Sequence, residues 1–136
     1  MKARIFLTII GLMYIGLALW CSIDPQTTSA KIGLELIGGS GQSEFLTVYG
    51  GLEFGLGLML LLPWLKNEWT EGALLSCLLI HGSLAAFRTL GYLSFENIEG
   101  LTHRLAIGEW VILILSAIIW TRFRGTHGSQ PRGEPN

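Results

Sequence analysis

The sequence predicts an all-α membrane protein: a bundle of four transmembrane helices, both termini cytoplasmic, with a long outer loop between helices 1 and 2. Three observations carry this reading. Half of the residues are hydrophobic and only 14% are charged, against roughly a quarter charged in a soluble globular domain. Four long apolar runs divide the chain, and none alternates with period two. Helix is then the structure that satisfies each run's backbone polar groups inside lipid. Finally, the loop cations gather on one side once four spans are drawn.

The first span, residues 5–23, is uncharged and of bilayer-crossing length. Met1-Lys2-Ala3-Arg4 would suit the charged start of a signal peptide, and Thr28-Ser29-Ala30 offers small residues for cleavage. The apolar stretch is nevertheless longer than the roughly 7–15 residues of a signal-peptide core. Trp20 also stands where lipoprotein cleavage before Cys21 needs a small residue. The segment is therefore read as a retained helix.

The second span, residues 45–65, is broken only by Glu53 and closed by Pro63-Trp64. The third, 72–93, carries His81 and Arg88, and the fourth, 104–121, carries Glu109. These spans form one transmembrane domain over residues 1–124. The tail, 125–136, has little to bury and is expected to be disordered. In the loop from Asp24 to Glu44, residues 30–37 suit a short interfacial helix, with Gly38-Gly39-Ser40-Gly41 breaking it before the second span.

Lys2, Arg4, Lys66, Arg122, Arg124 and Arg132 fall on the side of the termini, and Lys31 on the other. The positive-inside rule assigns the termini to the cytoplasm, and Trp20, Trp64, Trp69 and Trp120 lie near span ends as an aromatic belt would. The expected location is the inner (plasma) membrane. A net charge of −1 and the lack of a basic stripe exclude nucleic acid as a partner. Membrane lipids are expected partners, together with a hydrophobic small molecule or another membrane protein, and an oligomer is compatible with the pattern. Cys21 and Cys77 fall at opposite depths, which argues against a disulfide.

Glu53, Arg88 and Glu109 are the informative residues. A charge at the centre of a membrane helix costs roughly 2.5–3.5 kcal/mol on insertion scales, so each needs a partner, water or a task. At about 1.5 Å per residue, Glu53 lies roughly 12 Å and Arg88 and Glu109 roughly 7 Å in from the outer ends of their spans. The expectation is that Arg88 bridges Glu53 and Glu109 at the floor of an outward-facing polar pocket. Tyr49, Tyr92, His103 and Arg104 would form its walls. A pair that only fixes helix register is one competing reading, and an Arg88 that snorkels outward beside protonated carboxylates is another. His81 has no second ligand at metal spacing, so a hydrogen bond to another helix is expected instead of a metal site. Gly50, Gly51, Gly55 and Gly57 supply helix packing, with Gly51-x-x-x-Gly55 a small-xxx-small pattern for close approach within the monomer.

The stretch from Ser43 through Tyr49-Gly50-Gly51 to Gly57 resembles the domain of unknown function 4345 family, small bacterial four-span proteins similar to DoxX-type membrane proteins. In that family a glutamate, here Glu44, precedes a Tyr-Gly-Gly opening of the second span. Pro25 after the first span, Arg88-x-x-Gly91 in the third and Glu109 in the fourth extend the likeness over nearly the whole chain. Leu46 stands where the family often carries arginine, so any pairing with Glu44 would shift to Arg88 or Arg104. The resemblance implies fold and membrane location and no reaction. The function expected is binding of a lipid or small amphiphile in the outer pocket. An accessory subunit of a larger membrane complex and a proton-coupled transporter are the alternatives. No metal set, nucleophile–base pair or cofactor fingerprint points to an enzyme.

Overall fold

A computed structural model describes residues 1–98 and 100–127. Residues 125–127 of the tail expected to be disordered continue the last helix, and the rest of that expectation, from 128 onward, lies outside the described residues. Among the described residues the secondary structure is helical: α1 (Lys2–Ile23), α2 (Pro25–Lys31), α3 (Gly38–Phe45), α4 (Glu53–Leu61), α5 (Thr70–Ser94) and α6 (Leu101–His127). A π-helical segment, Leu46–Leu52, fuses α3 to α4 into one rod. Short 3₁₀ turns, Leu62–Trp64 and Asn67–Trp69, lead into α5. Four stretches are long and apolar enough to cross a membrane: Lys2–Ile23, Gly38–Trp64, Asn67–Ser94 and Leu101–Gly125. The chain is a multi-pass membrane protein.

The spans run up and down, so one end of the bundle holds the chain start and α6's last turn. The other, the loop end, holds α2 and the α5–α6 connection. α1 packs along the second rod and α5 along α6, and α1 joins the two pairs through α5. The apolar core lies toward the terminal end, built from Leu7 and Ile10 of α1, Leu60 of α4, and Leu74 and Cys77 of α5. Leu12, Leu58, Leu79, Phe87, Ile107 and Ile114 face outward from the spans, the surface a lipid solvent would cover.

Two elements differ from the sequence expectation. The short helix of the loop between the first two spans is not at residues 30–37; it is α2, which begins at Pro25. Asp24 caps it, its carboxylate accepting the Thr27 backbone N–H at 3.2 Å, with Pro25 in the first turn. The Thr27 hydroxyl and N–H hold the Asp24 carboxyl below the usual carboxylate range. This cap therefore contributes stability above the ordinary carboxylate pKa and loses it as pH falls through the lowered one. α2 ends in a Schellman arrangement, Leu34 N–H to Ser29 O at 3.0 Å and Gly33 N–H to Ala30 O at 3.1 Å. That ending needs the left-handed φ of +76° at Gly33. Gly38-Gly39-Ser40-Gly41 does not break a helix; it starts α3. Gly41 serves by its size there, since a Cβ would stand 3.2 Å from the Leu36 backbone.

The glycine packing is also corrected. Gly51 and Gly55 face open space, and a Cβ added to either would meet nothing within 4 Å. The close approach is made by Gly57 against Gly11: a Cβ on Gly57 would stand 2.8 Å from the Gly11 carbonyl oxygen, and one on Gly11 would stand 2.9 Å from the Gly57 carbonyl oxygen. Gly50 sits likewise against Ser22, whose Oγ would stand 2.6 Å from an added Cβ. The small-xxx-small spacing names the wrong pair because Gly51 and Gly55 lie on the face turned away from α1, whereas Gly50 and Gly57 face it.

The same substitution should therefore act with opposite sign at two glycines of α4. Gly57→Ala should destabilise by about 1–3 kcal/mol, because backbone must move. Gly55→Ala should be neutral or gain up to about 1 kcal/mol from helix propensity. Thermal unfolding in one detergent measures both, and equal effects would contradict the assigned interface.

Candidate functional site

Arg88 lies six residues before the end of α5 and Glu109 eight residues after the start of α6. Antiparallel packing brings them level. Arg88 Nε donates to Glu109 Oε2 at 3.0 Å and Nη2 donates to Oε1 at 2.6 Å. This is the two-pronged guanidinium–carboxylate fork, the strongest geometry available to such a pair. The Arg88 side chain keeps 29% exposure and that of Glu109 13%, so the cation is the more accessible partner.

Glu53 is not part of the bridge. Its Oε2 is buried without a hydrogen-bond partner. The reason lies in the pairing of helices: the second rod packs chiefly on α1, and α6 packs on α5. Glu53 consequently stands within electrostatic range of Tyr14 and Cys21 of α1, while Arg88 is committed to its neighbour on α6. Tyr49, on the π-helical segment, stacks on Phe45 with centroids 4.6 Å apart and lies within electrostatic range of both Glu53 and Arg88.

A second polar link holds α1 to α5. His81 is buried, and its Nδ1 lies 2.8 Å from the Cys77 carbonyl oxygen. A carbonyl only accepts, so Nδ1 carries the hydrogen and Nε2 accepts from the Tyr14 hydroxyl at 3.3 Å. The histidine thus bonds a neighbouring helix, as its spacing suggested. Cys21 and Cys77 are both free thiols and buried. Among the described residues no cluster of three His, Cys, Asp or Glu side chains could hold a metal ion.

An open cavity of about 890 Å³ occupies the loop end. One wall is the end of α2, Ala30 to Gly33. A second is α5, through Leu84, Phe87, Arg88 and Gly91 with its C-cap Phe95, and the third is the α5–α6 connection, Asn97, Ile98 and Gly100, running into Thr102 of α6. Asn97 and Gly100 hold left-handed φ values of 57° and 66°, which turn this connection back toward α6. Of the seven residues expected to build the pocket, Arg88 alone lines the cavity. Tyr92 and His103 pair with each other instead, Tyr92 Oη 2.8 Å from His103 Nδ1 with the rings stacked, and both are exposed. Arg104 is exposed and Glu109 stands behind Arg88, outside the lining. Lys31 and Asn97 are the site residues that sequence reasoning missed. The Asp24-Pro25 cap with Gly33 as terminator was the available signal for Lys31, since it fixes a short helix whose last residue returns over the bundle.

Fold and site together define a small four-helix membrane protein whose loop end carries an ion-paired arginine opening on a cavity. Residues 2–120 match the family described as domain of unknown function (DUF4345), and the chain belongs to that family. Comparison with curated proteins and with solved structures finds no match.

The stability consequences separate the two acids. Arg88→Gln should cost about 1–3 kcal/mol by leaving Glu109 shielded and unpaired, and adding Glu109→Gln should recover part of that loss. Glu53→Gln should cost little, because nothing donates to Oε2 in the native protein. Unfolding of these three variants and of Glu109→Gln alone in detergent checks this; additive losses for Arg88 and Glu109 would contradict the fork.

Proposed function

We propose that this chain is a small integral protein of the bacterial inner membrane that binds a lipid or small amphiphilic ligand in the cavity at its loop end, facing outward. The observation that carries the reading is a single cavity wall, α5 with its C-cap, presenting Arg88 beside Leu84, Phe87 and Phe95. A polar group set among apolar and aromatic ones is the usual make-up of a small-molecule site, and the volume lies within the roughly 300–1,000 Å³ of such sites. An amphiphile would place its head on Arg88 and its chain along the aromatic face. The Glu109 fork holds the guanidinium in place before any ligand arrives, which reduces the ordering cost of binding.

The membrane orientation in this proposal rests on the ends of the bundle. Arg4 over Trp64 (4.5 Å), Lys66 over Trp69 (5.3 Å) and Arg124 over Trp120 (5.6 Å) gather at the terminal end. Lys31 over Trp20, at 4.9 Å, is the counterpart at the loop end. Trp–cation pairs of this kind favour the two membrane–water interfaces, and the excess of cations at the terminal end favours that end in the cytoplasm.

Gly91 offers a clean test, because it lines the cavity and a Cβ there meets nothing within 4 Å. Gly91→Phe should fill the cavity without disturbing the helices. Native mass spectrometry of protein released from its own membrane should show amphiphile retained by the wild type and lost from the variant, at an unchanged unfolding temperature. Equal retention by both would sink the proposal.

A further inference from the structure

The charges around the cavity are unevenly disposed. Two cationic residues, Arg88 and Lys31, belong to the lining, and no carboxylate does among the described residues. Glu109 neutralises Arg88 from behind, taking Nε and Nη2. Arg88 Nη1 is left outside the fork, and the guanidinium is the more exposed member of the pair, 29% against 13%. With Arg88 matched by Glu109, Lys31, whose ammonium lies 4.9 Å over the Trp20 ring and acts electrostatically on Asp24, is the remaining cation of the lining among the described residues. Asn97 and Thr102 add neutral hydrogen-bonding side chains to the same lining.

The cavity also meets the face of α5 that points away from the bundle. Phe87, 75% exposed, and Leu84, 38% exposed, belong both to the lining and to that outer surface. A molecule already in the bilayer therefore reaches the cavity sideways, without crossing water.

From this arrangement we infer that the occupant is an anionic phospholipid of the surrounding leaflet, its singly charged phosphodiester seated between Arg88 and Lys31 and a chain lying over Phe87 and Leu84. The inference rests on the amphiphile-binding reading above and narrows it to one head-group class. A phosphodiester oxygen accepts from Arg88 Nη1 while the opposite edge of the guanidinium stays on Glu109. Lys31 supplies the balancing charge. A zwitterionic lipid carries its own ammonium next to the phosphate and gains least from Lys31, which is how the site discriminates. Nη1 and Lys31 approach from different walls, α5 and α2, so lipid binding also ties the short α2 helix to the bundle.

The test uses the full chain, offered an equimolar mixture of phosphatidylglycerol, phosphatidylcholine and diacylglycerol with identical acyl chains, with retained lipids read by native mass spectrometry. Phosphatidylglycerol should be retained in preference to the other two. Lys31→Gln should lower that preference about fivefold, the worth of one basic residue near an anionic surface. Lys31→Arg should keep it, and so should Lys66→Gln at the opposite end, which controls for general interfacial charge. Equal retention of phosphatidylglycerol and phosphatidylcholine, or an unchanged preference in Lys31→Gln, would overturn the head-group assignment while leaving amphiphile binding intact. Retention of no lipid at all would overturn both readings. Displacement of phosphatidylglycerol by millimolar inorganic phosphate would show a site for free anions and overturn the bilayer source.

Discussion

An arginine within a membrane-spanning helix sets the terms for everything near it. Left alone, Arg88 would draw water or lipid head groups inward at a cost of roughly 2.5–3.5 kcal/mol for a central position. The Glu109 fork removes that cost by matching two donors to two acceptors across the α5–α6 interface. It also fixes the axial and rotational register of the two helices, since a shift of one residue would misplace one prong by about 1.5 Å along the axis. The short α5–α6 connection, with its left-handed Asn97 and Gly100, is thereby held against the loop end. The cavity is a consequence: its floor is the accessible edge of a guanidinium already spoken for on its other side.

The remaining helix pair is assembled by a different physical means. α1 and the second rod approach through absent side chains, Gly11 against Gly57 and Gly50 against Ser22. In lipid, where apolar burial gives no preference for helix over hydrocarbon, close packing of this kind supplies the attraction. The π-helical segment ends immediately before Glu53 and contains Tyr49-Gly50-Gly51. Such segments commonly mark functional positions in helices, because an extra residue in the turn re-aims side chains. Here the buried, unpartnered Glu53 oxygen follows directly after it. The Tyr14–His81 hydrogen bond then joins this pair to α5 from within the bundle.

Much of this was legible in the sequence because membrane physics writes plainly. Apolar run length gives the number of spans, and four helices are long and apolar enough to cross a membrane. Arg88 and Glu109 announce themselves because charge is rare in such runs. Partner choice was not legible: Glu53 and Glu109 are equally acidic, and only the adjacency of α5 to α6 decides between them. The glycines misled for the same reason, since Gly51 and Gly55 have the familiar spacing but face outward. The cavity wall at Lys31 depended on reading Asp24-Pro25 as a helix cap, a local signal submerged in a loop of small and polar residues.

The central claim, that Arg88 is held by Glu109 and not by Glu53, is tested most directly by a solid-state NMR distance measurement in bilayers. Guanidinium nitrogens would be labelled with ¹⁵N and the glutamate side-chain carboxyl with ¹³C. A strong dipolar contact should appear between Arg88 and a carboxyl carbon, vanish in Glu109→Gln and persist in Glu53→Gln. A contact that vanishes in Glu53→Gln and survives Glu109→Gln would contradict the account.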